Sequence, residues 1–152
     1  MRPVGHEASV TARAPRLAEV ILVDANVLMY AAGAEHANKQ PSVRFLERVA
    51  SGEVDAVIDA EILQEILHRY RAMNRWEEGR NLFDLVRTLF PVVLPVTAEI
   101  LDRARTLLDA YPHLMARDGL HAAVVEHHEL DGLCSFDRDF DPVAGVDRVE
   151  PR

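Results

Sequence analysis

The sequence predicts an α/β fold: a central, mostly parallel sheet of four to five short strands between two layers of helices. Three observations predict it. Short runs of β-branched and other apolar residues recur along the chain, and longer segments of helical periodicity separate them. Strands separated by helices pair in parallel and carry helices on both faces. The length of 152 residues and the apolar content of 49% suit one domain with one sizeable core.

The predicted strands are short and end near turn residues or prolines. In chain order they are VILVD (20–24), DAVID (55–59), PVVLPV (91–96), LCSF (133–136) and a last short strand in DRVEP (147–151). Prolines bound the third of them, which suits a strand end or an edge strand. Each run is too short for a membrane span, and no apolar run of about 18 residues occurs elsewhere.

The predicted helices show apolar residues at intervals of three and four. They are NVLMYAAG (26–33), QPSVRFLERVASG (40–52), AEILQEILHRYRAMN (60–74), WEEGRNLFDLVRTLF (76–90), AEILDRARTLLDAY (98–111) and ARDGLHAAVVEHHELDG (116–132). The fourth is expected to turn Leu82, Leu85, Val86 and Leu89 inward. Thr97 is expected to cap the fifth, and an acidic turn, DRDFD (137–141), follows the fourth strand.

The chain divides into two parts by composition. Residues 1–19 contain two prolines and no sustained periodicity, which predicts a poorly ordered leader. In the alternative, Val20 is the product of an alternative bacterial start codon, and the residues before it are a wrongly assigned extension. Residues 20–152 are predicted to form one domain. The leader lacks the apolar centre of a secretory signal, and the single cysteine, Cys134, favours a reducing, cytoplasmic location.

Four acids stand where such a fold could bring them together. Asp24 ends the first strand and Asp137 follows the fourth, at the edge where open parallel sheets form sites. Glu65 lies on an apolar helix face, and Asp118 lies in the first turn of the last helix. Each has an ordinary explanation as a helix cap, rim residue or turn residue. Four carboxylates in one place would need a hard cation, Mg²⁺ or Mn²⁺, to stay ionised.

The segments that carry these acids resemble a known family. ILVDANVLMY, EILQEILHRY, RDGLHAAVV and CSFDRDFD, in that order, look like the four acidic motifs of PIN-domain ribonucleases, above all the small VapC-type toxins that pair with an antitoxin. The resemblance runs from about Val20 to near the C-terminus. It implies a PIN-like nuclease domain over residues 20–152, an Mg²⁺- or Mn²⁺-dependent endoribonuclease activity, a cognate antitoxin and a homodimer. The leader departs from the family, whose members begin almost at the first strand.

The resemblance also implies roles for individual residues. Asp24 would be the central metal ligand, and Glu65, Asp118 and Asp137 would complete the acidic cluster. Asn26 matches a small polar residue of the family that could hold a carboxylate or a water. Hydrolysis assisted by divalent ions would leave a 5′-phosphate without using the RNA 2′-hydroxyl.

Three further residues are secondary candidates for the site. Asp139 and Asp141 alternate with Asp137 and could assist it, or could serve the turn. His121 lies one helical turn after Asp118 and could contact phosphate or support a ligand, or could simply be packed. EHHE (126–129) is better explained as a solvated helix face, because adjacent histidines on a helix diverge.

A basic stretch follows Glu65. Arg69, Arg71 and Arg75 flank Tyr70 and Trp76, a combination that suits contact with single-stranded RNA or with a partner protein. A solvated helix face with its aromatic residues in the core is the alternative. The net charge of −8 argues against a protein that coats nucleic acid by electrostatics alone, but not against an enzyme that meets phosphate through metal ions.

Other functions are also open to this sequence. A PIN-fold RNA-processing nuclease outside a toxin–antitoxin pair, or an inactive RNA-binding PIN-fold protein, would share the same motifs. A phosphatase or phosphotransferase could use Asp24 as a nucleophile. Phosphatases with such a strand–loop start generally carry a second Asp two residues later, and here that residue is Asn26.

Overall fold

The computed structural model describes residues 19–152, so the leader expected over residues 1–19 lies outside the described residues except for Glu19. Within that range the chain forms one parallel sheet in the order β3-β2-β1-β4-β5. Its strands are β1 (Val20–Val23), β2 (Asp55–Asp59), β3 (Val93–Leu94), β4 (Gly132–Cys134) and β5 (Arg148–Val149). The predicted α/β fold with a parallel sheet of short strands is confirmed.

Each predicted helix occurs in the described part of the chain. The helices are α1 (Ala25–Ala32), α2 (Lys39–Ala50), α3 (Ala60–Ala72), α4 (Trp76–Leu89), α5 (Ala98–Ala110) and α6 (Ala116–His127). Asp59 caps α3 and Thr97 caps α5, each accepting a hydrogen bond from a backbone N–H three residues on. Across residues 19–152, no helix combines the length and apolar character that a membrane crossing requires.

The sheet separates two apolar layers. Leu22 and Leu133 pack on α5 and α6, whereas Val23 and Cys134, the next residues along their strands, pack on the side of α1, α3 and α4. Successive residues of a strand point to opposite faces of the sheet. A short strand whose residues are all apolar therefore buries both of its faces. The result is an α/β/α sandwich whose core the sheet divides in two.

The expectation that α4 turns four apolar side chains inward is wrong for one of them. Leu82 and Val86 are buried, but Leu85 is 68% exposed. Leu82 and Val86 are four residues apart and therefore lie on the same face of the helix. Leu85 lies at the edge of that face. There it borders an open apolar depression, which Ala31 and Leu46 line on the side of α1 and α2.

Two predicted boundaries also differ from the structure. The predicted strand LCSF leaves the sheet after Cys134, so Ser135 and Phe136 belong to the loop. The acidic turn that follows contains a single 3₁₀ turn, Arg138–Phe140, with Asp137 at its start. The early end of β4 matters because it frees the side chain of Ser135 to face the loop after β1.

The strand order places a crevice beside β1. The chain runs outward from β1 to β2 and β3, then returns to form β4 on the other side of β1. Ligands of open parallel sheets bind outside the carboxyl ends of the strands where the order reverses. Asp24 follows β1 there, and its backbone N–H donates to the carbonyl oxygen of Cys134 at 2.9 Å.

Candidate active site

Asp24 is buried and hydrogen-bonded at the carboxyl end of β1. It is 7% exposed, and although it occupies the N-cap position of α1, its side chain caps no backbone N–H. Its Oδ2 instead accepts hydrogen bonds from Ser135 Oγ at 2.7 Å and from Asn26 Nδ2 at 3.3 Å. The helix-cap explanation of this carboxylate therefore fails, and the side chain is positioned by its neighbours across the crevice.

Ser135 connects the two loops that build the crevice. Besides donating to Asp24, its buried Oγ accepts from Asn26 Nδ2 at 3.1 Å and from the backbone N–H of Asp137 at 3.0 Å. No sequence motif singled out this serine. Its signal was a polar residue at the end of an otherwise apolar strand, two positions before an acid.

The four predicted acids all line one cleft, called the acidic cleft below. It has a volume of about 410 Å³, and Asp24, Glu65, Asp118 and Asp137 are among its lining residues. Burial raises the pKa of Asp118, and the charges of Asp137 and Asp24 raise it further, against a hydrogen bond from the backbone N–H of Met115. Mutual repulsion of this kind is what a bound cation relieves. That the four acids bind metal stays a prediction.

The donor atoms fall into two groups, within each of which they lie no more than 4.8 Å apart. One group comprises Asp24, Glu65 and His121; the other comprises Asp118, Asp137 and Asp139. Asp139 adds a backbone hydrogen bond to Asp137 Oδ1 at 2.9 Å. Clustered carboxylates fit a divalent cation, and the acidic cleft could hold one.

Two buried polar atoms at this place have no hydrogen-bond partner among the described residues. They are Asn26 Oδ1 and His121 Nε2. Since most buried polar atoms in proteins are satisfied, each requires an explanation, and an ion or a bound water is among the usual ones. Both residues line the acidic cleft.

His121 forms a buried pair with Asp59. The ring is 1% exposed, and Nδ1 lies 2.6 Å from Oδ2 of Asp59, which is fully buried. The other Asp59 oxygen accepts from the backbone N–H of Ile62 at 3.0 Å. Burial alone would lower the pKa of His121, but the carboxylates of Asp59, Asp24 and Glu65 outweigh it and raise the pKa to about 9.

Asp59 was not among the predicted site residues. Its signal was present, because it ends the second predicted strand, DAVID, just as Asp24 ends the first. The carboxyl ends of neighbouring parallel strands lie at the same edge of a sheet. Applying that rule to β2 as well as to β1 and β4 would have found it.

Two arginines line the acidic cleft beside the acids. Arg117 Nη1 lies 2.9 Å from Oε1 of Glu65, whose side chain is 13% exposed, and Arg69 contributes from α3. Arg69 was a predicted RNA or partner contact, whereas Arg117 was not singled out. Together they bring positive charge to a cleft that is otherwise acidic.

Four of the sequence candidates lie outside the lining of the acidic cleft: Asp139, whose contact with Asp137 is described above, and Arg71, Arg75 and Asp141. The guanidinium of Arg71 stacks on the Trp76 ring, 4.2 Å from its centroid. Arg75 forms a two-pronged ion pair with Glu78, one contact of which measures 2.8 Å. Asp141 accepts from Arg148 Nε at 2.6 Å, and this hydrogen bond lowers the pKa of Asp141. Asp141 thus has a local structural partner in the loop.

Comparison with known families settles the class of the domain. Residues 21–146, most of the chain, match the PIN domain. This chain belongs to the PIN-domain family. The membership agrees with the five-stranded parallel sheet and the strand-end acids, and the resemblance of the four motifs is confirmed at the level of the family.

Two curated relatives cover nearly the same length as this PIN domain. A VapC ribonuclease of Mycobacterium bovis and Ribonuclease VapC13 of Mycobacterium tuberculosis are each 45% identical over 130 residues, which span 86% of this chain and 99% of theirs. Ribonuclease VapC23 of Mycobacterium tuberculosis is 36% identical over 118 residues, 78% of this chain and 93% of its own.

Solved structures share the fold at lower sequence identity. VapC20 of Mycobacterium tuberculosis, described as a toxin that cleaves the sarcin–ricin loop, superposes with a TM-score of 0.71 at 19% identity, covering 86% of this chain and 99% of its own. VapBC2 of Rickettsia felis, solved with promoter DNA, gives 0.69 at 15% identity, with 86% and 98% covered. These likenesses establish the PIN fold.

Proposed function

We propose that this PIN-domain protein is a metal-dependent endoribonuclease and the toxin of a type II toxin–antitoxin pair. The observation that carries the proposal is the meeting of Asp24, Glu65, Asp118 and Asp137 in one cleft at the point where the strand order reverses. The relatives at 45% identity are ribonucleases by name, which supports RNA as the substrate. An acidic cleft can act on a polyanion only if cations offset its charge.

A divalent ion, Mg²⁺ or Mn²⁺, would offset the negative charge of the phosphate and lower the pKa of the attacking water. Asp24 is the proposed central ligand, since hydrogen bonds from Ser135 and Asn26 orient its carboxylate in the acidic cleft. Arg117 pairs with Glu65, and Arg69, which lines the acidic cleft, is proposed to pair with a phosphate of the RNA. Water loses a proton as it adds to phosphorus, and the bond to the 3′-oxygen breaks as that oxygen takes up a proton, leaving a 5′-phosphate and a 3′-hydroxyl.

The proposed partners are an antitoxin and a second copy of this chain. The Rickettsia felis structure contains a VapBC pair, and a Klebsiella pneumoniae structure of TM-score 0.63 is described as a toxin–antitoxin complex. These support a cognate antitoxin for this chain. We further propose a homodimer, and a cytoplasmic location in which the lone Cys134 stays reduced. Arg71 and Arg75 are proposed as more distant contacts to RNA or to the partner.

The test is cleavage of total RNA by the full chain in Mg²⁺, in Mn²⁺ and in EDTA. Wild type is expected to cut only with metal, and Asp24→Asn to lose at least about 100-fold of the rate while keeping its circular dichroism and unfolding midpoint. Asp84→Asn, on the exposed side of α4, is the matched control and should cut normally. Cleavage in EDTA, full activity of Asp24→Asn, or a cyclic phosphate product would contradict the proposal.

The toxin role has a separate test. Expression of the chain in bacteria should arrest growth, and co-expression of the neighbouring antitoxin gene should relieve the arrest. Metal-dependent cleavage without growth arrest would instead favour an RNA-processing nuclease outside a toxin–antitoxin pair.

A further inference from the structure

We propose that His121 is itself a metal ligand, so that Asp24, Glu65 and His121 form a mixed oxygen–nitrogen site that prefers a first-row transition ion to Mg²⁺. The inference deepens the proposed function and rests on its metal dependence. It assigns metal binding to His121, which could otherwise be a packed core histidine. It also specifies which kind of ion the histidine-containing site takes.

The first argument is that one ring nitrogen of His121 is hydrogen-bonded and the other is not. Nδ1 of His121 is engaged by Asp59, whereas Nε2 is buried and lacks a partner among the described residues. The ring lines the acidic cleft, and a ligand atom of His121 lies within 4.8 Å of carboxylate oxygens of Asp24 and Glu65. A packed histidine would leave this buried nitrogen unsatisfied, which destabilises the fold. An ion bound to Nε2 removes that destabilisation.

The second argument is the support behind the ring. Metal-ligating histidines almost always donate their other N–H to a carboxylate or carbonyl, which fixes the tautomer and the ring orientation. Asp59 provides this carboxylate, and its own orientation is fixed by the backbone N–H of Ile62. The Asp59–His121 pair therefore has the form of a carboxylate–histidine–metal arrangement. Where Nε2 carries a proton, an entering ion displaces it to solvent.

The third argument is the contrast between the two groups of donors. Asp118, Asp137 and Asp139 offer oxygen atoms alone, which suits Mg²⁺. An imidazole nitrogen instead favours first-row transition ions, whose affinity for nitrogen ligands exceeds that of Mg²⁺. The two groups of donors thus differ in chemistry. When Mn²⁺ and Mg²⁺ are both present, Mn²⁺ is expected to bind first at the group that contains His121.

The test is spectroscopic and uses the metal-free full chain with one equivalent of Mn²⁺. Pulsed electron paramagnetic resonance should detect the coupling of a coordinated imidazole nitrogen, and ¹⁵N-labelled histidine should change that coupling in the expected way. His127→Gln, an exposed histidine on the same helix, is the matched control and should keep it. His121→Gln should lose it, together with about tenfold or more of the preference for Mn²⁺ over Mg²⁺ in competition.

A second variant guards against loss of the fold. His121→Gln leaves Asp59 buried without its cation, so the double variant Asp59→Asn/His121→Gln replaces the pair by two neutral amides. Nitrogen coupling that persists in either folded variant, or an oxygen-only signal from wild type, would overturn the inference. If wild type cleaves RNA but its Mn²⁺ signal shows oxygen ligands only, the inference is overturned and the proposed function stands. Nitrogen coupling without RNA cleavage in any metal would support it while removing the proposed function.

Discussion

Asp59 and His121, 62 positions apart in the sequence, meet through a 2.6 Å contact between Oδ2 and Nδ1 directly beneath the acidic cleft. Asp59 ends β2 and caps α3, and His121 lies on α6. The pair joins the two helical layers at the place where the candidate ligands meet. Its consequences for stability can be measured separately from any activity.

Removing one member of this pair should destabilise the fold. Asp59→Ala leaves a buried imidazole without its carboxylate and α3 without its cap, and we expect the free energy of unfolding to fall by about 3–5 kcal/mol. Urea denaturation in EDTA measures it. The control is Asp55→Ala at the exposed start of the same strand, which should change little. Equal losses in the two variants would show that the pair contributes nothing special.

The same pair should make the stability of the metal-free protein depend on pH. The pKa of His121 is raised from 6.5 to about 9, so the folded protein holds this proton more tightly than the unfolded chain. That stabilisation is complete below pH 6.5 and is lost as the pH rises through 9, up to about 3 kcal/mol. Denaturation series across this range in EDTA test it. The double variant Asp59→Asn/His121→Gln should lack this decline, and a wild type whose stability rises would contradict it.

Ser135→Ala tests the positioning of Asp24. The substitution removes the 2.7 Å hydrogen bond to Oδ2 and leaves the carboxylate free to turn. We expect metal affinity or RNA cleavage to drop about 10–100-fold, as for other residues that orient metal ligands. Isothermal titration with Mn²⁺ and cleavage kinetics measure the two effects. Ser51→Ala, at the end of α2, is the control; an unchanged Ser135→Ala protein would show that Asp24 needs no such support.

The basic residues after Glu65 should not contribute equally to RNA binding. Arg69 lines the acidic cleft, whereas Glu78 already neutralises Arg75. Arg69→Ala should weaken RNA binding and reduce the salt slope by about 1, and Arg75→Ala should have a much smaller effect. Fluorescence anisotropy with a labelled RNA at several salt concentrations separates them. A larger effect at Arg75 would move the RNA path toward the Trp76 end of α4.

Cys134 should be chemically silent in the folded protein. The side chain is fully buried in β4, and burial, with the Asp24 charge, raises the pKa of its thiol to about 12. Since only the thiolate reacts, a disulfide reagent should label no thiol under native conditions and one per chain in denaturant. Rapid native labelling would show that β4 opens readily at the edge of the acidic cleft.

Much of the fold was predictable because its signals are local. Short β-branched runs and helical periodicity identified every strand and helix of residues 19–152, with errors of a few residues at their ends. Leu85 was predicted to be buried, and this was wrong. Periodicity shows which residues share a helix face, but it does not show how much of that face the neighbouring elements cover. The same limit applies to LCSF, where composition alone does not reveal that the strand ends at Cys134.

The sequence by itself determined that acids follow the ends of β1 and β4 and that two further acids lie on helices between these strands. The resemblance to the PIN-domain family identified these four acids as one set. Only the tertiary structure decided that Asp59 meets His121, that Ser135 holds Asp24, and that Arg69 rather than Arg75 reaches the cleft. Those contacts depend on strand order and on the rotation of each helix about its axis. Both are set by packing between residues far apart in the chain, which no local pattern encodes.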